Sequence, residues 1–211
     1  MRKFKVPEYI EGQLLRQEPH LLYELGRKAK HAIVEIGSFK GLSTYCLARG
    51  SFDGNKVKVY AIDPHTMGDS HKTFLKNMKK AGLLNKIVIP IKKKSMEAVK
   101  NWNKKIGLLW IDGDHSYDSV RRDFEKWTPF LEQGGFVALH DTSDSPPANI
   151  VQKYLIENPE YTQIRYCGLI TFAKKRPEKK RYGKIKARIG FHTRKEELKT
   201  KARRIKRLVR W

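Results

Sequence analysis

The sequence predicts an α/β domain: a doubly wound, mostly parallel sheet with a C-terminal antiparallel hairpin, followed by a basic helical tail. Two observations carry the sheet. Short apolar runs alternate with segments of helical period, the pattern of parallel strands covered on both faces by helices. Four of those runs also end alike, in a glycine or an ionisable group: Val34-Glu35-Ile36-Gly37, Val59-Tyr60-Ala61-Ile62-Asp63, Leu108–Asp112 and Phe136–Asp141. Such groups sit at the carboxyl edge of a parallel sheet, where α/β proteins place ligands. A third observation, a concentration of charge at the chain's end, predicts the tail.

In chain order, Glu8–Lys30 reads as a helical lead-in, with Ile10, Leu14, Leu15, Leu21, Leu22 and Leu25 on one face, a break at Pro19 and an end near Gly26. Ala32–Ile36 is the first strand, and Leu42–Arg49 the helix after a glycine turn. Val59–Ile62 is the second strand. A helix capped by Asp69 or Ser70 runs through Lys80, with Lys79 and Lys80 in its last turn. Lys86–Ile91 is the third strand, and Ser95 caps a helix through Trp102. After the Leu108 strand, Ser116 caps a helix whose apolar stripe is Val120, Phe124, Trp127 and Leu131. Gly134-Gly135 turns the chain into the strand Phe136–Leu139. Asp144 or Ser145 starts a helix through Glu157, and Tyr161–Tyr166 with Leu169–Ala173 forms the hairpin.

The chain has 211 residues and a net charge of +23. From Lys174 to Trp211 there are 18 Lys and Arg against three Glu, so this segment carries +15 and leaves +8 to residues 1–173. The division is therefore a domain over 1–173 and an extension over 174–211. Cys46 and Cys167 build no disulfide framework, which suits a reducing compartment. No run approaches the ~20 apolar residues of a membrane span. The expectation is a cytoplasmic protein, with peripheral contact at the inner face of a membrane left open.

Gly37-Ser38-Phe39-Lys40-Gly41 joins a buried strand to a helix and exposes backbone N–H groups at the helix N-terminus, an arrangement that binds anionic or polar ligand groups. Asp63 ends the next strand, where an acid can take the hydroxyls of a ribose. The alternative is a plain turn with a capping acid.

Together, V-E-I-G-S-F-K-G-L-S-T, Y-A-I-D, W-I-D-G-D-H-S-Y and G-G-F-V-A-L-H-D-T resemble the class I, Rossmann-like S-adenosylmethionine-dependent methyltransferases, in the branch of small-molecule and sugar O-methyltransferases related to the catechol and caffeoyl-CoA enzymes. The resemblance covers roughly residues 8–173. Gln133 departs from it, standing where the family usually has Pro. The resemblance implies that Glu35, Gly37, Ser38 and Gly41 hold the methionine end of S-adenosyl-L-methionine, with Ser43 close by. It further implies that Asp63 binds the ribose hydroxyls, Ser95 lies near the adenine, and Asp112 lies beside the methionine portion or ligates a metal.

Methyl transfer needs an oxygen in line with the methyl group and a route for its proton. Asp112, His140 and Asp141 fall where metal-dependent relatives bind Mg²⁺. His140 shifts the preference towards Mn²⁺, Fe²⁺ or Zn²⁺, or else serves as a base itself. His115 is the preferred general base, since imidazole titrates near neutrality, and Asp114 could orient it or help hold metal. The alternative is that Asp114 and His115 cap the following helix while His140 and Asp141 brace the loop.

In the tail, Leu198, Ala202, Ile205 and Val209 fall at helical spacing among basic residues, ending at Trp211. A basic amphipathic helix reads as an arm for an anionic membrane or a polyanion, or as a helix packed on its own domain. No sequence-specific nucleic-acid motif accompanies it. The expected activity is therefore methyl transfer to a hydroxyl of a sugar, glycan or small metabolite. An RNA methyltransferase and a non-catalytic cofactor-binding adaptor are the alternatives, and a homo-oligomer is left open.

Overall fold

The computed structural model describes residues 4–143 and 146–177. The caps at Asp144 or Ser145 and the tail helix built on Leu198, Ala202, Ile205 and Val209 lie outside the described residues.

The described residues hold seven strands in one sheet, in the order β3-β2-β1-β4-β5-β7-β6. These are β1 (Ala32–Ile36), β2 (Val59–Ile62), β3 (Val88–Ile91), β4 (Ile106–Ile111), β5 (Leu131–Leu139), β6 (Tyr161–Cys167) and β7 (Ile170–Lys175). The first five are parallel, and β7 inserts antiparallel between β5 and β6. The predicted doubly wound sheet with a C-terminal hairpin is the observed fold, and its last strand runs to Lys175.

The helices are α1 (Glu18–Lys28), α2 (Leu42–Asp53), α3 (Ser70–Lys80), α4 (Ser95–Ala98), α5 (Tyr117–Trp127) and α6 (Pro146–Ile150). One apolar cluster joins α1, α2 and α3 to one face of the sheet through Leu22, Leu47, Phe74 and Trp110. A second joins α5 and α6 to the other face through Val34, Leu109, Phe124 and Trp127. All six residues of β4 are buried, as a central parallel strand requires.

Three local expectations change. Pro19 begins a helix rather than breaking one, because a first-turn position needs no N–H. Gly26 lies within α1, where a Cβ would stand 2.3 Å from the Leu47 carbonyl oxygen of α2, so it serves close helix packing and not helix termination. Strand β5 starts at Leu131, paired with Ile106, and the ladder resumes at Phe136 opposite Leu108. Gly134-Gly135 is thus an irregularity inside the strand.

The register fixes the site. Ile36 aligns with Ile62 on β2 and Ile111 on β4. Gly37, Asp63 and Asp112 each follow directly, at the same edge of the sheet.

Candidate active site

At that edge lies a cavity of about 950 Å³, within the range of ligand sites. Gly37, Ser38, Gly41, Ser43, Asp63, Ser95, Asp112, His115, His140 and Asp141 all line it. The fold therefore gathers ten of the eleven expected site residues around one space.

The glycine loop is held from beneath. Gly37 N–H donates to the Ile62 carbonyl at 2.9 Å, and Asp112 N–H to the Ile36 carbonyl at 2.8 Å. Gly37 has φ +87°, and a Cβ there would stand 2.0 Å from the Asp112 carbonyl oxygen. Gly37→Ala is expected to cost about 3 kcal/mol from left-handed backbone and overpacking. A thermal melt should show a Tm lower by roughly 6–12 °C.

Asp63 is more occupied than expected. Its Oδ2 accepts the N–H groups of Ser38 (3.0 Å) and Phe39 (2.8 Å), and its Oδ1 that of His65 (2.6 Å). A carboxylate has about four acceptor positions, so about one remains for a ligand hydroxyl, fewer than a pair of ribose hydroxyls would take. The Ser38 hydroxyl is buried without a partner. It offers a polar anchor in the cavity wall.

Glu35 does not reach the cavity. It lies inside β1, fully buried, and Oε2 accepts the Thr44 hydroxyl of α2 at 2.5 Å. Its Oε1 has no partner. Burial, reinforced by the charges of Asp112 and Asp63, pushes its pKa up to about 8 against the hydroxyls of Ser43 and Thr44.

At the ends of β4 and β5, His115 Nδ1 stands 2.8 Å from Asp141 Oδ2. His115 is half exposed, so its ring faces the open side of the cavity. His140 is buried, with Nδ1 3.1 Å from Asp112 Oδ1 and 3.4 Å from Asp141 Oδ2, and Nε2 3.2 Å from Glu18 Oε2. Burial opposes its charge, but the Asp112 bond, the Asp112 and Asp141 charges and the Glu18 bond outweigh burial and raise its pKa to about 9. Both ring nitrogens of His140 thus face carboxylates, where the sequence predicts a ligand or base, and its atoms do not join the ligating set that converges among the described residues. Burial raises Asp112, against the bond and charge of His140. The ligating atoms that do converge belong to Asp112, His115 and Asp141, all within 4.8 Å of one another. Asp114 is spent on α5, accepting Ser116 N–H at 2.8 Å and the Ser119 hydroxyl at 2.9 Å. This is the capping alternative for that residue.

Two buried acids escaped the sequence reading. Glu18 accepts the N–H groups of Leu15 (2.7 Å) and Leu169 (2.6 Å) besides facing His140, tying the lead-in and the hairpin turn to the site. Asp123 accepts the Ser95 hydroxyl and lines the cavity. Its burial raises its pKa to about 6, against the Ser95 bond and Arg122. Its signal was an acid on the inner face of α5, between Val120 and Trp127.

A family model described as a methyltransferase domain matches residues 34–142. The chain belongs to that family. Among curated relatives, an uncharacterized protein of Acanthamoeba polyphaga mimivirus is 27% identical over 148 residues, covering 66% of this chain and 65% of that protein. One from Sinorhizobium fredii is 28% identical over 136 residues, covering 61% of this chain and 15% of that protein. The chain thus spans less than two thirds of either relative. Among solved structures, the O-methyltransferase TomG of Streptomyces achromogenes, in complex with S-adenosylmethionine, matches with TM-score 0.62 at 17% identity, covering 78% and 82% of the two chains. An O-methyltransferase of Bacillus cereus in complex with S-adenosylhomocysteine gives 0.60 at 17%, covering 80% and 84%. An rRNA methylase of Streptococcus thermophilus gives 0.59 at 17%, covering 79% and 100%. The methyltransferase fold is therefore that of the class I S-adenosylmethionine-dependent enzymes. Among its described residues no helix is long and apolar enough to cross a membrane.

Proposed function

We propose that this methyltransferase uses S-adenosyl-L-methionine to methylate a hydroxyl oxygen of a small metabolite, sugar or glycan. The observation that carries the reading is the His115–Asp141 pair at 2.8 Å on the wall of the cavity that the glycine loop and Asp63 also line. The cofactor supplies an electrophilic methyl on sulfur. The orphaned Ser38 hydroxyl, the backbone of Gly37–Gly41 and the remaining acceptor of Asp63 suit its polar groups. S-adenosyl-L-methionine held there would supply its methyl group to the acceptor oxygen, and His115 would take the acceptor's proton at Nε2. Asp141 fixes the ring through Nδ1 and stabilises its charge. Leu15, Phe39 and Met67 are exposed apolar side chains that also line the cavity, which suits an organic acceptor with an apolar face.

A second reading rests on the convergence of Asp112, His115 and Asp141. Two carboxylates and one imidazole suit Mn²⁺, Fe²⁺ or Zn²⁺ as well as Mg²⁺. A cation bound there would lower the pKa of an acceptor hydroxyl. Residues 174–211, with +15 of the charge, are proposed to draw the enzyme to an anionic membrane or polyanionic acceptor.

The test uses methyl-labelled S-adenosylmethionine with a lysate split into glycolipid, RNA and small-molecule fractions. Label is expected in the glycolipid or metabolite fraction, and its loss with chelator selects the metal-assisted form. Label in RNA, insensitive to chelator, would overturn the acceptor assignment. Cofactor binding with no label in any fraction favours the adaptor alternative.

A further inference from the structure

We infer that a lysine face, built by α3, the edge strand β3 and the segment that follows it, seats this protein on an anionic phospholipid surface, with the mouth of the cavity at its border. The face is defined by charge and exposure, independently of what the cavity binds.

Outside the tail, the positive charge is concentrated in one stretch. Residues 1–69 carry +3 and residues 106–173 carry −5, whereas residues 70–105 carry +10, from eleven lysines and a single acid, Glu97. All eleven lysines are exposed. Lys72, Lys76 and Lys79 recur at i, i+4 and i+7, a stripe along α3 away from the buried Phe74 and Met78. A short turn leads from α3 into β3, the outermost strand of the sheet, and Lys92, Lys93 and Lys94 follow that strand directly. Lys80 lies over the Tyr9 ring and Lys86 over the Phe52 ring. Among the described residues the lysine ion pairs belong to Lys5, Lys40 and Lys105, so the α3 stripe and Lys92–Lys94 make none. Like charges so placed repel one another, and an anionic partner offsets that repulsion. Lysine beside an edge strand also hinders edge-to-edge pairing, which accounts for Lys86 and Lys92 but not for the stripe on α3.

The chemistry of the face favours lipid over nucleic acid. Residues 70–105 hold no arginine, the residue whose planar fork suits backbone phosphates and base edges. Nor do they offer a ring free to stack on a base. Phe74 is buried, His71 lies against His65, and Trp102 packs edge-on to Tyr60 and Trp127 with its indole N–H on the Lys104 carbonyl. Lysine suits a fluid layer of headgroups instead. It is a hydrated point charge on a long flexible stem and asks no fixed geometry of its partner. The border of the face adds the apolar component of an interfacial site. Ser70, the first residue of α3, and Lys94 both line the cavity. So do Met67 and Phe39, which are 68% and 39% exposed. A protein seated this way opens its cavity to the headgroup layer.

The experiment is co-flotation of the full chain with vesicles of phosphatidylcholine, alone or with roughly one third phosphatidylserine. A single-stranded homopolymer RNA is titrated in parallel. The anionic vesicles are expected to bind at least about tenfold more tightly than the neutral ones. Each lysine close to an anionic leaflet contributes about fivefold to affinity, so Lys72→Gln, Lys76→Gln, Lys79→Gln and Lys92→Gln together should weaken vesicle binding at least about twentyfold. These side chains are exposed, so a thermal melt should show the fold kept. If it does not, Lys92→Gln with Lys93→Gln, outside any helix or strand, serves instead and should weaken binding at least about fivefold. Lys28, Lys30, Lys126 and Lys153 are exposed elsewhere on the domain. Replacing those four with Gln removes the same charge and should change binding less than about threefold. Unchanged binding in the α3 and β3 variant would assign the affinity to residues 174–211 and overturn the inference. Equal weakening by both sets of four would also overturn it, as the mark of net charge alone. RNA bound more tightly than anionic vesicles, and released by the α3 and β3 variant, would make the face a nucleic-acid surface and overturn the choice of lipid. Vesicle binding that ignores phosphatidylserine would overturn the electrostatic basis of the face.

Discussion

Replacing His115 with alanine is expected to lower kcat by roughly 10²–10⁴-fold, the usual contribution of a positioned general base. The Kd for S-adenosylhomocysteine should stay within about twofold. The two expectations separate because His115 stands at the open wall of the cavity, half exposed and paired with Asp141 at 2.8 Å. The glycine loop, Asp63 and the Ser95–Asp123 pair lie on other elements. An exposed ring also leaves stability nearly unchanged, within about 0.5 kcal/mol, so lost turnover would not reflect unfolding. Asp141→Asn should act in the same direction but more weakly, since an amide can still orient the ring without stabilising its charge. Single-turnover kinetics with an identified acceptor would measure both. A kcat within threefold of the unaltered enzyme would remove His115 from the mechanism. A kcat that falls with His115→Ala and no longer responds to chelator would move it from base to metal ligand.

The frame of this site was legible because its parts are local. A buried strand, a glycine turn and a helix start lie within a dozen residues around Gly37, and the same is true around Asp112. Parallel pairing then brings their ends together wherever the chain runs between. What the sequence hid depends on contacts between distant segments or on one residue of register. Glu18 meets His140 across 122 residues, and nothing near either announces it. That contact changes the setting of His140, since a lone histidine at a strand end reads as a ligand, whereas here both ring nitrogens face carboxylates. Asp123 drew no expectation from the sequence, because the Ser95 hydroxyl that faces it lies 28 residues earlier. Glu35 was misplaced by register alone. Asp63 and Asp112 follow their strands, whereas Glu35 lies within β1, opposite Ala61 and Trp110. Inside a strand, side chains alternate between the two faces of the sheet, and this one points under α2 rather than over the edge.

That placement predicts that Glu35→Gln makes the protein more stable at alkaline pH. Glu35 is fully buried, with one carboxyl oxygen bonded by Thr44 and the other unpartnered. Burial raises its pKa in the folded chain to about 8 from an ordinary value of 4.5. Between those two values the folded protein holds a proton that the unfolded chain has released. Its contribution to stability is therefore fully present below about pH 4.5, declines as pH rises, and is lost above about pH 8. At about 1.4 kcal/mol per pH unit, the full window is worth on the order of 5 kcal/mol. Glutamine has the same shape, keeps an acceptor for Thr44 and does not ionise in either state. Denaturant unfolding should therefore find the two proteins similar near pH 5 and the glutamine variant more stable at pH 8.5, with a gap that widens through neutrality. Parallel pH profiles would mean that Glu35 is already ionised in the folded protein at neutral pH. The same variant also tests the corrected role of the residue. Because Glu35 does not line the cavity, its Kd for S-adenosylhomocysteine should stay within about twofold, and a tenfold loss would return Glu35 to the cofactor site.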